Sequence, residues 1–139
     1  MLRAHAATTK QLSAELIERH GLTLNDYEVL LHLARAPERR LRRVDLSERA
    51  LLTPSGITRL LEGLERAGYV GRCDCSSDRR VSYAELTDAG YEKLREASRT
   101  HVKGIDELFG DSFDEDELRS LATLLGRLTE VGVVEPCGP

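Results

Sequence analysis

Residues 44 to 68 read VDLSERALLTPSGITRLLEGLERAG, and no other stretch restricts the fold as much. Two short helical segments, 44–50 and 54–67, are joined by Leu51-Leu52-Thr53. Thr53 suits the cap position ahead of a helix, because its side-chain oxygen can accept a backbone N–H that the first turn leaves unpaired. Pro54 suits the first helical position, where a missing N–H costs nothing. Ile57, Leu60, Leu61 and Leu64 recur at helical spacing and form the buried face. Gly68 suits the left-handed position just past the helix end. Two short helices with a tight turn between them make a helix-turn-helix.

The flanking segments extend the pattern. Residues 2 to 19 predict a first helix with Leu12, Leu16 and Ile17 as its apolar stripe, stopped by Gly21. Thr23 with Asp26 three residues later predicts a reciprocally capped second helix. Tyr27, Leu30, Leu31 and Ala34 share one face of it, and Pro37 ends it. Beyond Gly68, the runs YVGRC and RVSYAEL flank the polar stretch DCSSD and predict a hairpin with a long loop. A hairpin directly after a helix-turn-helix is the wing of a winged helix. Thr87 caps a long helix over 88–109, with Leu94, Ala97, His101, Ile105 and Leu108 at spacings of three and four. Asp114 and Glu117 open a final helix, in which Leu118, Leu121, Leu125 and Leu128 repeat as in a coiled-coil seam. The winged helix has a core of its own, so these outer helices need another surface to cover. A second copy of the chain is the economical one. The fold class is therefore mainly α with a small antiparallel β wing.

Charge bears on the partner. The 139-residue chain carries a net charge of −4, which on its face argues against DNA. The distribution says otherwise: residues 35 to 80 hold 11 arginines and 7 acids, and the remainder 9 basic and 17 acidic residues. A basic middle between acidic ends points to an anionic partner for the middle.

In order and spacing, these pieces resemble the MarR family (multiple antibiotic resistance regulator) of bacterial transcription regulators. The resemblance rests on the leucine-rich helix-turn-helix, Gly68-Tyr69-Val70-Gly71-Arg72, the wing tip Asp78-Arg79-Arg80, and Leu86-Thr87-Asp88-Ala89-Gly90. It covers nearly the whole chain as a single domain over 1–139. It implies a winged helix-turn-helix over 23–87 and dimerisation helices over 1–20 and 88–132. It also implies a homodimer reading a palindromic site in double-stranded DNA, as a repressor relieved by a small molecule. Two features depart from the family pattern. The first helix begins close to residue 1 and so looks short, which shifts dimer contact onto residues 88 to 132. Leu51 stands where many such turns have glycine, so a slightly different backbone is expected there.

Individual residues then acquire roles. The helix from Pro54 enters the major groove with Ser55, Gly56 and Thr58 allowing close approach, and Arg59 bonds guanine in a two-pronged fashion. Of Arg39, Arg40, Arg42 and Arg43, which surround the start of the first helix of the motif, Arg42 and Arg43 are the phosphate candidates. The resemblance assigns Arg80 to the minor groove, whose narrowness concentrates negative potential. Asp78 orients that guanidinium and can hold Arg72, and Arg79 meets the backbone. Many members bind a small aromatic acid between the dimer helices and the winged helix. His5, His20, Tyr27, His32 and His101 are candidates to line such a pocket, with Tyr27 and His32 preferred.

Cys73 and Cys75 lie two apart, so on a strand they face the same way. Two thiolates make half of a closed zinc site, with no histidine near in sequence. Nearby arginines would lower a thiol pKa, so a thiol- or metal-responsive regulator is the alternative within the class. The family's organic-peroxide sensors carry their cysteine in the first helix, where this chain has none. Cys137 falls in the tail. Three cysteines argue against a disulfide framework. No stretch approaches a membrane span and the N-terminus lacks a signal-peptide core, so a cytoplasmic location with no membrane partner is expected. There is no glycine-rich phosphate loop, no paired metal-ligand set and no nucleophile with a base, so neither catalysis nor a cofactor is expected. The rival from another class is a winged helix used only for protein–protein contact.

Overall fold

The computed structural model describes residues 2–74 and 81–130. The elements run α1 (Leu2–His20), α2 (Leu24–Arg35), a 3-10 turn (Pro37–Arg39), β1 (Arg40–Arg42), α3 (Arg43–Arg49) and α4 (Pro54–Arg66). They continue with β2 (Val70–Asp74), β3 (Ser82–Leu86), α5 (Asp88–Gly110) and α6 (Glu115–Glu130). The described residues form two compact units, one up to Val102 and one from Lys103 onward. No helix among them is long and apolar enough to cross a membrane.

In the first unit, Leu16, Val29, Leu30, Leu33, Leu46 and Leu61 are fully buried. Removing each such side chain from water contributes about 1.5–3 kcal/mol. Helix α2 lies at the centre, in contact with α1, α3, β1 and β3. That is why Val29 and Leu33 are buried beside the expected Tyr27 and Leu30. On α1, Leu12 and Leu16 are buried, whereas Ile17 is exposed. One residue further along a helix turns the side chain about 100°, out of the packed stripe. Tyr27 Oη lies 3.3 Å from Ser98 Oγ, and His20 Nε2 lies 2.7 Å from Thr100 Oγ1, so both leading helices are pinned to α5.

The sheet has three antiparallel strands in the order β1-β3-β2. The hairpin β2–β3 pairs Val70 with Leu86 and Cys73 with Tyr83. Strand β1 is an addition to the expected hairpin. It pairs Leu41 with Ala84, and Leu41 is its one buried residue between two exposed arginines. Three residues with one apolar side chain give too short an alternation to announce a strand.

The junction from wing to α5 rests on Leu86-Thr87-Asp88-Ala89-Gly90. Leu86 is buried. Thr87 Oγ1 donates to the Gly68 carbonyl at 2.7 Å and accepts the Gly90 N–H at 3.0 Å. Its own N–H donates to the Tyr69 carbonyl at 3.1 Å. A side chain at Gly90 would place Cβ 2.0 Å from that same carbonyl oxygen, so only glycine lets α5 leave so close to β2.

In the second unit, the Asp114 N–H donates to Glu117 at 3.0 Å and the Glu117 N–H to Asp114 at 2.8 Å, a reciprocal cap that starts α6 as expected. Leu118 and Leu121 are half-buried, while Leu124, Leu125 and Leu128 are exposed.

Candidate nucleic-acid interface

The turn between α3 and α4 is set by hydrogen bonds from both ends. The Leu51 N–H donates to Glu48 at 3.2 Å and the Leu52 N–H to Ser47 at 3.0 Å, the paired bonds of a Schellman helix end. Such an end needs a left-handed residue, and Leu51 occupies it with φ +53. The expected change of backbone is absent: the turn keeps the conformation a glycine would serve and places leucine in it. The end of α4 has the same paired bonds, Gly68 to Glu65 and Tyr69 to Leu64, with glycine at φ +79. Buried Ser47 donates through Oγ to the Leu52 carbonyl at 2.6 Å, which fixes the turn from inside.

Thr53 caps α4, accepting the Gly56 N–H at 3.1 Å, and Pro54 is its first residue. Ile57, Leu61 and Leu64 are buried and Leu60 partly so, which anchors one side of α4. The opposite side presents Ser55, Thr58, Arg59, Glu62 and Arg66 to solvent. Thr58 Oγ1 donates back to the Pro54 carbonyl at 2.9 Å, keeping that side chain close to its helix. The structure thus brings Pro54, Ser55, Gly56, Thr58 and Arg59 together at the free end of α4.

The arginines divide into two sets. Arg39 lies 3.3 Å from Asp88 with its guanidinium 4.2 Å above the Tyr91 ring. Arg40 pairs with Glu38, and Arg42 with Asp45 at 3.0 Å. Arg43 Nη2 lies 2.5 Å from Glu65 Oε1, and the two side chains keep only 19% and 27% of their exposure. Among the described residues Arg59 has no ion-pair partner. The basic excess of this segment is thus partly neutralised within the fold. Sequence reasoning did not reach the Arg43–Glu65 contact, because 22 residues and a turn separate the two.

Asp78, Arg79, Arg80 and Cys75 lie outside the described residues. Arg72 and Cys73 stand on β2 opposite Ala84 and Tyr83, and Cys73 is a half-buried free thiol. Of the pocket candidates, Tyr27 is buried with its ring 4.6 Å from that of His101. His32 is half-buried on α2. Neither lines the cavity of about 280 Å³ between α2 and α5, whose walls are Leu31, Ala34, Arg35, Tyr91, Leu94, Arg95 and Ser98. Burial holds His101 below the ordinary histidine value, with Glu28 pulling the other way. Burial chiefly, then Lys93, lowers His20.

Comparison with known proteins gives consistent relatives. The profile of the MarR family matches residues 20–81. The HTH-type transcriptional repressor YetL of Bacillus subtilis is 31% identical over 110 residues, 79% of this chain and 65% of that protein. This chain therefore spans just under two thirds of that relative. Sco3205 of Streptomyces coelicolor, a MarR family transcriptional regulator solved in complex with DNA, is 32% identical. The match covers 98% of this chain and 84% of that one, with a TM-score of 0.85. AbsC, a MarR family transcriptional regulator of the same organism, is 32% identical over 93% of this chain and 86% of its own, with a TM-score of 0.82.

Proposed function

The chain belongs to the MarR family of transcriptional regulators, and from that premise we propose that it is a homodimeric repressor of palindromic sites in double-stranded DNA. The observation that carries the reading is α4 itself. Its apolar side is locked into the core, and its outer side pairs small residues with the unpaired Arg59. Ser55, Gly56 and Thr58 let the helix approach base edges, and Arg59 then reaches guanine. Arg42, exposed beside α3, exchanges Asp45 for a phosphate. Asp78, Arg79 and Arg80 carry the wing's share, at the minor groove and backbone. Relatives bearing the names repressor and DNA complex favour this reading over protein–protein contact alone.

The exposed leucines Leu124, Leu125 and Leu128 on α6 support a second copy as the partner that covers them. A two-fold pair must set its two recognition helices about 34 Å apart, one duplex turn, to enter successive major grooves. A ligand that alters this spacing weakens binding. The cavity between α2 and α5 joins apolar walls to Arg35 and Arg95, a lining suited to a small aromatic acid.

Duplex sites selected from a random pool by the purified protein test the reading. Arg59→Ala is expected to weaken the selected site about tenfold or more and relax preference at one base position. A wild-type protein without salt-dependent, sequence-preferring binding refutes it.

A further inference from the structure

We propose that Arg43 acts on DNA binding without touching DNA: it is a positioning residue that fixes the tilt of α4 through Glu65. The inference rests on the DNA-binding reading above and assigns to the Arg43–Glu65 pair the control of specificity within it.

Arg43 is the first residue of α3, and Glu65 is the last but one of α4. The pair therefore joins the start of one helix of the motif to the far end of the other, across from the 51–53 turn. The turn and the buried face of α4 fix its position, but neither ties the polar side of its far end to α3. The ion pair supplies that further tie. Its 2.5 Å length and partial burial mark a contact half-enclosed by protein and already engaged, not a free surface charge waiting for a phosphate. Arg43 Nε is also buried and without a hydrogen-bond partner, so the inner part of the guanidinium is shielded from water. On its other side, Arg43 lines a cavity of about 280 Å³ with Arg42, Val44, Val81 and Ser82, next to strand β3. One side chain thus joins the start of α3 to the end of α4 and shares a cavity with the approach to the wing strand.

A half-buried pair of this kind responds to loss of either partner in the same direction, because each loss leaves the other charge enclosed and uncompensated. A phosphate contact behaves differently. Its loss weakens all duplexes alike and lowers the salt slope by about one, and removing a nearby acid strengthens binding.

Arg43→Gln and Glu65→Gln change the charge in opposite directions, which separates the two cases. Both are expected to weaken the wild-type-selected duplex by about tenfold, roughly the loss of one base contact. Binding to a scrambled duplex and the salt slope stay at wild-type values, so the ratio of selected to scrambled affinity falls. The double variant is no worse than either single one. Arg43→Lys, which keeps the charge but not the planar fork, recovers part of the ratio. Each variant is measured below its own unfolding midpoint. If Arg43→Gln does not fold, Glu65→Gln and Arg43→Lys decide the matter. Tighter or unchanged binding by Glu65→Gln overturns the proposal. So does a salt slope reduced by about one in Arg43→Gln, or the same loss on selected and scrambled duplexes. Those outcomes leave the DNA-binding reading standing; a wild-type protein that selects no duplex removes both.

Discussion

Gly90→Ala is the substitution whose effect follows most directly from the geometry. Inside a helix, alanine is favoured over glycine by about 1 kcal/mol, so local propensity alone predicts a gain. The surroundings predict the reverse. The new Cβ would stand 2.0 Å from the Tyr69 carbonyl oxygen, 2.9 Å from its carbon and 2.8 Å from Leu86 Cδ1. The leucine tip can move. The carbonyl cannot move freely, because it accepts the Thr87 N–H and belongs to the turn that closes α4 onto β2. Relief requires α5 to slide away from the sheet and loosens the Thr87 cap.

Overpacking of a well-packed site costs about 1–3 kcal/mol, and a clash with fixed backbone belongs at or above the top of that range. After the propensity gain is subtracted, a net loss of about 2 kcal/mol or more remains. For a chain of this length that lowers Tm by roughly 8 °C. Gly63→Ala in α4 is the matched control: nothing lies within 4 Å of its Cβ, so propensity alone acts and stability rises by about 0.5–1 kcal/mol. Urea and thermal unfolding at one fixed protein concentration give both numbers, the concentration being fixed because assembly shifts apparent stability. If Gly90→Ala unfolds at or above the wild-type midpoint, the close approach of α5 to Tyr69 is wrong and so is the account of the motif.

Leu51→Gly should do the opposite of Gly90→Ala. Leu51 is 91% exposed at φ +53, so glycine relieves about 1–2 kcal/mol of left-handed strain, loses no buried surface, and gives back part through a freer unfolded chain. A net gain of about 0.5–1 kcal/mol in urea unfolding is expected, and a loss would mean that the leucine covers something. His101 sits below its ordinary value of 6.5 through burial, so the unfolded chain takes the proton more readily and stability must fall as pH drops through about 6.5. Comparing Tm at pH 7.5 and 5.5, His101→Gln should show a smaller decline than wild type, the remainder reporting His20; equal declines would exclude His101 as a source.

Much of this was legible in the chain because it is local. Thr53-Pro54, Thr23 with Asp26 and Asp114 with Glu117 each fix a helix start within four residues, and each is formed as the spacing dictates. Gly68 announces its left-handed turn for the same reason. What escaped is non-local or runs against propensity. Gly90 is picked out by the resemblance but not explained by it until the Tyr69 carbonyl is placed beside it. Leucine at 51 hides a conformation that glycine would have advertised. Arg40-Leu41-Arg42 reads as a charged loop until β3 supplies a partner. In the candidate interface, the face of α4 follows from its apolar spacing. The split among the arginines does not, because a sequence counts charges without saying which already have partners.

That split bears on how an acidic protein can bind DNA at all. The excess of arginine between residues 35 and 80 suggests a broad basic surface. Arg39, Arg40, Arg42 and Arg43 instead each face an acid, and in the first and last cases the partner holds two elements together. A guanidinium engaged in this way offers little to a phosphate unless the protein pair breaks, and breaking an enclosed pair is costly while an exposed one is not. Among the described residues the candidates for counterion release therefore narrow to the exposed set, with Arg40 and Arg42 exchangeable and Arg59, Arg49 and Arg66 facing solvent. Fewer phosphate contacts from this segment mean a shallower salt slope and weaker binding to arbitrary duplex than its arginine count suggests. On the proposed reading, affinity then leans more on the base contacts of α4 and on the wing, and the angle at which α4 is held matters accordingly. Internal pairing of the arginines leaves the net charge unchanged but removes them from the surface offered to phosphate, so on the proposed reading the fixed geometry of α4 carries more of the recognition.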